Sequence, residues 1–470
     1  MSVPILSIAE MRSWEAATWE AGIRFKEVIA RVGQALAARI QGLTGNADRI
    51  LILAGRGNNG ADARAAVAHL GSRTVDLLEV SDPMQALPAW NAARRRRPDL
   101  VVDALFGIGL NRALDPAWCG FIESVNASGV RVLSVDVPSG IDADTGRHWG
   151  AVIRADLTVT VGAPKRGLLA SEAWSSVGRL EVIRDVGLLG EPAGSDDRNW
   201  VLDADFAGWP LRRDVAGNKG DFGRVVVLAG SPGYTGAGIL SLRAASRARP
   251  GLLAALVPES IHAVVSGQVP SAMVHPFAPS HPLLEKASAI LAGPGLADPE
   301  LPEAWRREVI RLWSEFPGVL VLDASSLAWI ADAPVRSAEA GPRVITPHPG
   351  EAARMLGVSA SEVQSDRPAA LRRLATRWNA LVILKGHQTL VGEGGGRLWV
   401  NSSGNPGLAQ GGTGDVLAGF LSGLLAQPAL RTRWAEAAAY GVWEHGRTAD
   451  HLEAERRNWN AEDLADAIGA

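Results

Sequence analysis

The sequence predicts an α/β protein built from two doubly wound, three-layer domains. The chain has 470 residues, which is more than one ordinary hydrophobic core supports and indicates two or three domains. Short apolar segments alternate with helical stretches, a pattern typical of parallel sheets covered on both faces by helices. A polar, turn-rich stretch between residues 188 and 218 interrupts this alternation. We therefore place a linker there and predict domains at residues 1–205 and 206–470.

The composition argues against several classes of protein. Lys and Arg number 47 and Asp and Glu number 50, so the net charge of −3 predicts no basic surface for nucleic acid. Cys119 is the single cysteine, which excludes an intrachain disulfide and a Cys-rich zinc site, and we expect its thiol in the core. No segment reaches the roughly 18 apolar residues of a membrane span, and the N-terminus does not resemble a secretory leader. We expect a cytoplasmic protein without membrane or nucleic-acid partners.

The first domain is predicted to begin with a helix over residues 26–40, in which Val28, Val32, Leu36 and Ile40 share one face. A second helix is expected over residues 61–70. Strands are predicted at residues 50–54, 74–80, 100–105, 130–135 and 157–161. Ligands of such sheets bind beyond the carboxyl ends of the strands, so the polar residues that follow the strands are site candidates.

The second domain repeats the alternation with different residues. Its strands are predicted at residues 224–229, 252–257, 289–291, 319–323, 344–346 and 381–385. A helix reading VLAGFLSGLLA is expected directly after Asp415. The two domains share a fold class but no motif.

Three polar features follow strands of the first domain. The loop Gly55–Asp62, GRGNNGAD, stands between a strand and a helix, where glycines and free backbone N–H groups suit a phosphate. Asp103 ends a buried strand, and Asp136 and Ser139 lie in SVDVPSG after another. Either aspartate alone could be a turn or helix-capping residue. Together, the amide, carboxylate and hydroxyl oxygens suit an alkali or alkaline-earth cation.

These segments, GRGNNGAD, VDALFGIGL, SVDVPSGIDADTG and GAPKRGLL, resemble the YjeF-type NAD(P)H-hydrate epimerases over residues 1–190. The resemblance implies a Rossmann-like domain that holds K⁺ through Asn59, Asp103 and Ser139. From its position, Asp136 is our candidate for proton movement at C6 of the nicotinamide ring. Hydrate contacts are implied for Asn58, Asn59, Gly60, Ala61, Asp62, Gly107, Ile108, Gly109, Leu110, Asn111, Arg112, Ala113 and Asp136. The chain departs from the family at Ala61 and Ala63, and at IARVG (residues 29–33) in place of a MENAG-like helix.

The most informative segment of the second domain is NSSGNPGLAQGGTGD, residues 401–415. Gly411, Gly412 and Gly414 would expose N–H groups ahead of a helix and stabilise a transferring phosphoryl group. Asp415 in the first helical turn could take a proton from a substrate hydroxyl. The simpler interpretation is a glycine-rich helix cap with an acidic first turn. Lys385 ends a buried strand and could meet nucleotide phosphates, or could be an ordinary exposed lysine.

KGDFG, GSPGYTGA, GPGL, TPHPGE, LKGHQT and NPGLAQGGTGD resemble the ribokinase-like ADP/ATP-dependent NAD(P)H-hydrate dehydratases over residues 215–450. The resemblance implies a ribokinase-like domain that binds ADP or ATP with Mg²⁺ and favours ADP as the donor. Hydrate contacts are implied for Ala237, Gly295, His348 and Asp415. We assign nucleotide contacts to Lys385, Gly386, His387, Gln388, Thr389, Gly411, Gly412, Thr413 and Gly414.

The combined resemblance predicts repair of nicotinamide cofactor that has added water across its C5–C6 double bond. The first domain would interconvert the R and S hydrates, and the second would dehydrate the S form with a nucleotide. ADP as donor would yield AMP and phosphate. The alternative is a ribokinase-like small-molecule kinase with a non-enzymatic N-terminal assembly domain. We expect small-molecule substrates only and a homo-oligomer.

Overall fold

The computed structural model describes residues 2–331, 340–456 and 458–470, which form two compact units. The N-terminal unit comprises Val3–Trp200 and the C-terminal unit comprises Val201–Ala470. Both units contain a parallel sheet with helices, which confirms the predicted α/β class. The assignment of residues 1–205 and 206–470 to separate functional domains stays a prediction.

Six parallel strands form the sheet of the N-terminal unit. The strands of this unit are β1 (Val3–Pro4), β2 (Arg49–Ala54), β3 (Thr74–Glu79), β4 (Leu100–Ala104), β5 (Val132–Val135), β6 (Leu157–Val161), β7 (Arg179–Ile183) and β8 (Arg198–Trp200). The sheet order is β3-β2-β4-β5-β6-β7, and β1 pairs antiparallel with β8. The chain adds β3 on one side of β2 and then adds β4 and the later strands on the other side. The order of strand addition therefore reverses between β2 and β4, although all six strands stay parallel. That position is where doubly wound sheets bind ligands.

Helices cover this sheet. They are α1 (Ile8–Glu20), α2 (Phe25–Leu43), α3 (Asn58–Val67), α4 (Pro83–Arg95), α5 (Pro116–Asn126) and α6 (Trp174–Val177), with a 3₁₀ helix at Arg166–Leu169. The predicted helix over residues 61–70 begins three residues early, so Asn58 and Asn59 lie in its first turn rather than in a loop. Cys119, expected in the core, is half-buried on α5, where its thiol contacts backbone groups of Leu114 and Ala151.

The C-terminal unit contains a larger sheet. Its strands are β9 (Arg224–Leu228), β10 (Leu252–Val257), β11 (Met273–Pro276), β12 (Ala289–Ala292), β13 (Val319–Leu322), β14 (Arg343–Ile345), β15 (Leu381–Leu384), β16 (Leu390–Gly392) and β17 (Leu398–Val400). They run in the order β17-β16-β15-β14-β13-β12-β9-β10-β11. Strands β9 to β15 pair in parallel, whereas β16 is antiparallel to both neighbours. The order of strand addition in this sheet reverses between β9 and β12.

The helices of this unit pack on both faces of the sheet. They are α7 (Thr235–Arg247), α8 (His262–Gln268), α9 (Pro282–Glu285), α10 (Glu303–Glu315), α11 (Ser325–Trp329), α12 (Pro349–Leu356), α13 (Ala360–Ser365), α14 (Arg367–Trp378), α15 (Thr413–Leu425), α16 (Trp434–Glu455) and α17 (Ala461–Ala467). Short 3₁₀ helices lie at Asp203–Phe206, Lys219–Phe222, Glu259–Ile261, Pro406–Leu408 and Pro428–Arg433. In the part of the chain that the structure describes, every helix is too short or too polar to cross a membrane.

Helix α15 is buried on nearly all sides. It packs closely against α7, and a Cβ atom added at Gly419 would lie 2.2 Å from the carbonyl oxygen of Ser241. Only glycine therefore permits this approach of the two backbones. Since α15 begins at Thr413, the packing holds the glycine-rich segment that precedes it at a fixed distance from α7.

A single buried arginine ties β14 to the end of α10. Arg343 is 1% exposed, and its guanidinium donates hydrogen bonds to six backbone carbonyl groups, of which Leu312, Phe316 and Pro342 also accept a backbone N–H. The acceptors are the carbonyl oxygens of Leu312, Trp313, Phe316, Gly318, Gly341 and Pro342. The planar five-donor guanidinium can serve several acceptors at once, which no other side chain can do.

We predict that Arg343→Met destabilises the C-terminal unit by about 3 kcal/mol or more, because several buried carbonyls lose their donor. Hydrogen exchange of the full chain in urea, followed in peptides that contain β13 and β14, measures this loss of stability. Arg306→Met on the exposed side of α10 serves as the matched control and should change stability by less than about 0.5 kcal/mol. Equal protection in the two variants would contradict the prediction.

Candidate active sites

A cavity of about 960 Å³ opens at the carboxyl edge of the N-terminal sheet, beside the reversal between β2 and β4. Most of the residues that the sequence predicts to contact the hydrate line this cavity. Those that line it are Asn58, Asn59, Asp62, Gly107, Ile108, Gly109, Leu110, Asn111, Arg112, Ala113 and Asp136. Gly60 and Ala61 do not line it. Gly60 instead faces the loop backbone, and a Cβ atom there would lie 2.1 Å from the carbonyl oxygen of Gly55.

The three predicted cation ligands lie close together. Asn59 lines the cavity, whereas Asp103 and Ser139 lie behind its wall. The carboxylate of Asp103 is fully buried and accepts hydrogen bonds from the hydroxyl of Ser139 at 2.6 Å and that of Ser134 at 2.8 Å. The side-chain amide of Asn59 donates to the carbonyl oxygen of Phe106 at 2.8 Å. Its Oδ1 is buried and has no hydrogen-bond partner among the described residues. Burial raises the pKa of Asp103, although hydrogen bonds from Ser139 oppose the rise.

Asp136 follows β5 with φ of 63°, a left-handed conformation that is uncommon for a residue other than glycine. Its Oδ1 accepts hydrogen bonds from the hydroxyl of Thr160 and the backbone N–H of Val161, each at 3.1 Å. The ammonium of Lys165 contacts the same oxygen and also donates to Thr160 and to the carbonyl oxygen of Val161. Lys165 is 1% exposed, so a buried ion pair orients the Asp136 carboxylate.

Two further carboxyl groups, Asp62 and Glu15, line the same cavity. Burial and, to a smaller extent, the charge of Asp136 raise the pKa of Asp62 to about 8, although Lys165 opposes the rise. Burial also raises the pKa of Glu15. Among these three groups, Asp136 is thus paired with lysine, whereas burial raises the pKa of the other two.

Sequence reasoning missed part of this site. Lys165 was not assigned a role, although GAPKRGLL was one of the motifs. Arg12 and Glu15 line the cavity from α1, a helix that the apolar pattern did not predict. Residues 29–33 on α2 do not line the cavity. Gly33 packs against α3, where a Cβ atom would lie 2.5 Å from that of Ala65.

In the C-terminal unit, charged side chains gather at the carboxyl ends of β13, β14 and β15. Lys385 forms an ion pair with Asp323 at 2.7 Å, and its ammonium lies 3.9 Å from Glu351. The hydroxyl of Thr346 donates to the same Asp323 oxygen at 2.7 Å. No site role was predicted from the sequence for Asp323, Glu351 or Thr346, although Thr346 and Glu351 belong to the motif TPHPGE.

Asp415 lies in the first turn of α15, near this cluster. Burial and, to a smaller extent, the charge of Asp323 raise the pKa of Asp415 to about 7, although Lys385 opposes the rise. Gly414 is close to the lysine, since a Cβ atom there would lie 3.5 Å from the Lys385 ammonium nitrogen. The structure thus brings together Lys385, Gly414 and Asp415 as the sequence predicts.

The rest of the predicted glycine-rich segment forms the start of α15. Gly412 is the N-cap with φ of 96°, and Gly411 precedes it. The first N–H groups of a helix have no partner within the helix, so this end suits an anion. Thr413 turns its hydroxyl toward the carbonyl oxygens of Leu408 and Gln410, at 2.9 and 3.0 Å. The Thr413 side chain therefore has a structural role in addition to the predicted contact.

The predicted hydrate contacts Ala237 and Gly295 lie side by side at the reversal between β9 and β12. A Cβ atom at Gly295 would be 2.8 Å from that of Ala237. His348 is the N-cap of α12, and its Nδ1 accepts hydrogen bonds from the backbone N–H groups of Gly350 and Glu351. Burial lowers the pKa of His348, so the neutral ring is favoured.

The predicted nucleotide segment after Lys385 is a tight loop. Gly386 and Gln388 have φ of 132° and 52°, and the hydroxyl of Thr389 donates to the carbonyl oxygen of Gly386 at 2.9 Å. Burial lowers the pKa of His387. The guanidinium of Arg367 donates to the carbonyl oxygen of Lys385 and so supports the loop from behind.

Comparisons with known proteins agree with the two-unit architecture. Residues 225–469 match the family model described as NAD(P)H-hydrate dehydratase, and residues 76–167 match the YjeF-related protein N-terminus. The Moorella thermoacetica protein named bifunctional NAD(P)H-hydrate repair enzyme is 34% identical, over 93% of this chain and 90% of its own length. The Escherichia coli K12 protein of the same name is 35% identical, over 92% of this chain and 86% of its own length.

A solved structure resembles the C-terminal unit. A ribokinase-like superfamily protein from Enterococcus faecalis is 26% identical, with a TM-score of 0.52, and the match covers 60% of this chain and 97% of that one. This similarity supports the predicted ribokinase-like architecture.

We predict that Asp62 makes the N-terminal unit less stable as pH rises. Its folded-state pKa of about 8 exceeds the ordinary value of 3.8, so its stabilising effect is complete below pH 3.8 and is lost as pH approaches 8. Asp62→Asn, which imitates the neutral acid, should therefore gain stability relative to wild type between pH 5 and pH 9. Urea unfolding followed by hydrogen exchange of β2 and β4 measures the difference. Glu123→Gln on the exposed face of α5 is the control, and parallel pH curves for Asp62→Asn and wild type would refute the prediction.

Proposed function

Because the chain belongs to the family of bifunctional NAD(P)H-hydrate repair enzymes, we propose residue roles for its two activities, with epimerisation in the N-terminal unit and dehydration in the C-terminal unit. The protein is an enzyme, both an isomerase and a nucleotide-dependent lyase. It returns hydrated NADH or NADPH to the working cofactor.

Asp415 is the proposed general base of dehydration. It would take the proton of the C6 hydroxyl, whose oxygen then attacks the terminal phosphate of the nucleotide. The observation that carries this assignment is a half-buried carboxyl group with a pKa near 7 at the start of a helix, next to Lys385. A base with this pKa is about half ionised at neutral pH and still strong enough to accept the proton.

The start of α15 would stabilise the phosphoryl group during transfer. Free N–H groups at Gly411, Gly412 and Gly414 and the ammonium of Lys385 would face its developing charge. Phosphate then leaves C6 and a proton leaves C5 to solvent, which together restore the C5–C6 double bond. Phosphorylation favours this elimination because phosphate leaves far more readily than hydroxide. ADP as donor gives AMP and phosphate as the other products.

Mg²⁺ is expected with the nucleotide, and the site offers suitable ligands. The carboxylates of Asp323 and Glu351 are hard oxygen donors beside Lys385. They would help to hold the ion against the phosphate oxygens, where it supplies positive charge. Their own part is to orient Lys385 toward the same phosphates.

We propose that the N-terminal cavity binds the hydrate and that Asp136 moves a proton at C6. Lys165 orients this carboxylate, and the surrounding loop residues hold the ring. The buried Oδ1 of Asn59 that lacks a partner fits a K⁺ ligand, together with Asp103 and Ser139. K⁺ would offset the buried charge of Asp103. Cytoplasmic location and homo-oligomeric assembly stay predictions.

We predict that a mixture of R and S hydrates recovers its full absorbance at 340 nm with wild-type enzyme, nucleotide and Mg²⁺. Asp415→Ala should show no recovery, because the base is lost. Asp136→Ala should recover the S fraction only. The exposed Glu455→Ala on α16 is the control and should match wild type, and a reaction without enzyme measures spontaneous epimerisation. A stable phosphorylated product without recovery at 340 nm would instead favour the kinase alternative.

The pH dependence of dehydration tests the role of Asp415 separately. With S hydrate and saturating nucleotide, kcat/KM should rise with pH through a midpoint at about pH 7 and level off above about pH 8, since Asp415 must be ionised to act as a base. Asp415→Asn should reduce kcat/KM by at least about 100-fold. A profile that is flat between pH 5.5 and pH 8.5 in the wild-type enzyme would rule out this role.

A further inference from the structure

Two carboxyl groups, Asp62 and Asp136, enter the N-terminal cavity from different parts of the sheet. Asp62 lies on α3, which follows β2, whereas Asp136 follows β5 directly. Strand β4 lies between β2 and β5, so the two strand ends are about 10 Å apart at the usual spacing of neighbouring strands. A ligand in this cavity can therefore meet one carboxyl group on each side.

The two groups differ in their surroundings. Asp136 forms an ion pair with the buried ammonium of Lys165. Asp62 receives no hydrogen bond from any residue that the structure describes, and it forms no ion pair there. Its carboxyl group is partly accessible from the cavity and is otherwise enclosed. Of the two described carboxyl groups, Asp136 is thus paired with a positive charge and Asp62 is not.

Epimerisation at C6 of the hydrate needs both kinds of group. C6 carries a hydroxyl and is bonded to the ring nitrogen N1. If the hydroxyl leaves as water, the N1 electron pair forms an N1–C6 double bond and C6 becomes planar. Water that adds to the opposite face gives the other epimer. The leaving oxygen needs a proton, and the attacking water must lose one.

We propose that Asp62 is the catalytic acid and Asp136 the catalytic base of this water exchange, with Lys165 as the positioning residue that orients Asp136. The proposal rests on the epimerase function proposed above. Asp62 gives its proton to the C6 oxygen as the C6–O bond breaks. Asp136 takes a proton from the incoming water as the new C6–O bond forms. These roles apply in one direction of the interconversion, and the two carboxyl groups exchange them in the other. One water leaves and one enters, and exchange with solvent returns both carboxyl groups to their starting state.

Other charged residues at the cavity are less suitable as the acid. The guanidinium groups of Arg12, Arg56 and Arg112 do not release protons near neutral pH. Asp115 is the N-cap of α5 and accepts a hydrogen bond from Trp118. Glu15 is the closest competitor, but Asp62 is more deeply enclosed and lies beside Asn58 and Asn59 at the cavity wall.

The test uses full-length protein with Asp415→Ala as background, so that hydrate is not consumed. Interconversion of purified R and S hydrates is followed by chromatography from pH 5.5 to pH 9.5, in ordinary and in ¹⁸O-labelled water, with reactions without enzyme as the baseline. Asp62→Asn, Lys165→Met, Glu15→Gln and the exposed control Glu123→Gln are compared in this background. Thermal unfolding verifies that each variant is folded.

We expect the background protein to lose activity as pH rises past about 8, when Asp62 ionises. Asp62→Asn should lower the rate at pH 7 by at least about 100-fold, and its residual rate should lack this alkaline decrease. Lys165→Met should lose disproportionately more activity at pH 5.5 than at pH 7. Each turnover should place one ¹⁸O at C6.

Four results would overturn the proposal. They are a normal rate in folded Asp62→Asn, an unchanged alkaline decrease in that variant, loss of the decrease in Glu15→Gln instead, or interconversion without ¹⁸O. If the background protein itself fails to interconvert the hydrates at any pH, the epimerase function fails, and this result is distinct from the other four.

Discussion

In each unit, the site depends on an ion pair between a lysine and an aspartate at the carboxyl edge of a parallel sheet. The two pairs are Lys165 with Asp136 and Lys385 with Asp323. A second aspartate nearby, Asp62 in one unit and Asp415 in the other, forms no ion pair with any described residue, and burial raises its pKa although the lysine opposes the rise. Burial thus leaves this second carboxyl group near the pH at which it can exchange protons.

Parallel pairing explains why these groups meet at all. All strands of such a sheet point their carboxyl ends at one edge, and the reversal of strand order separates the two central loops. In the N-terminal unit, the loops after β2 and β4 diverge there and leave the cavity. In the C-terminal unit, the segments after β9 and β12 meet at the reversal, where Ala237 lies next to Gly295. The same backbone arrangement thus supports two different reactions, and the loop residues decide which one.

The sequence predicted the fold class and most strands because buried parallel strands read as short apolar runs. It did not predict α1, whose apolar residues do not form a clear helical stripe, and so it missed Glu15 at the cavity. Lys165 stood in an identified motif, but no sequence pattern shows that a lysine will turn inward to meet Asp136. The early start of α3 at Asn58 was missed because glycine and asparagine usually indicate a turn. Local patterns therefore located the site, whereas long-range charge contacts required the structure.

The contact between Gly419 of α15 and Ser241 of α7 has a consequence for how this protein can diverge. At this point the backbones of α15 and α7 touch directly, so the distance between the two helices does not depend on the size of neighbouring side chains. Substitutions among the apolar residues around them can accumulate without moving the start of the helix. Any side chain at Gly419, or at Gly423 where a Cβ atom would lie 2.5 Å from the carbonyl oxygen of Ala245, would instead push α15 away from α7 and displace the start of the helix.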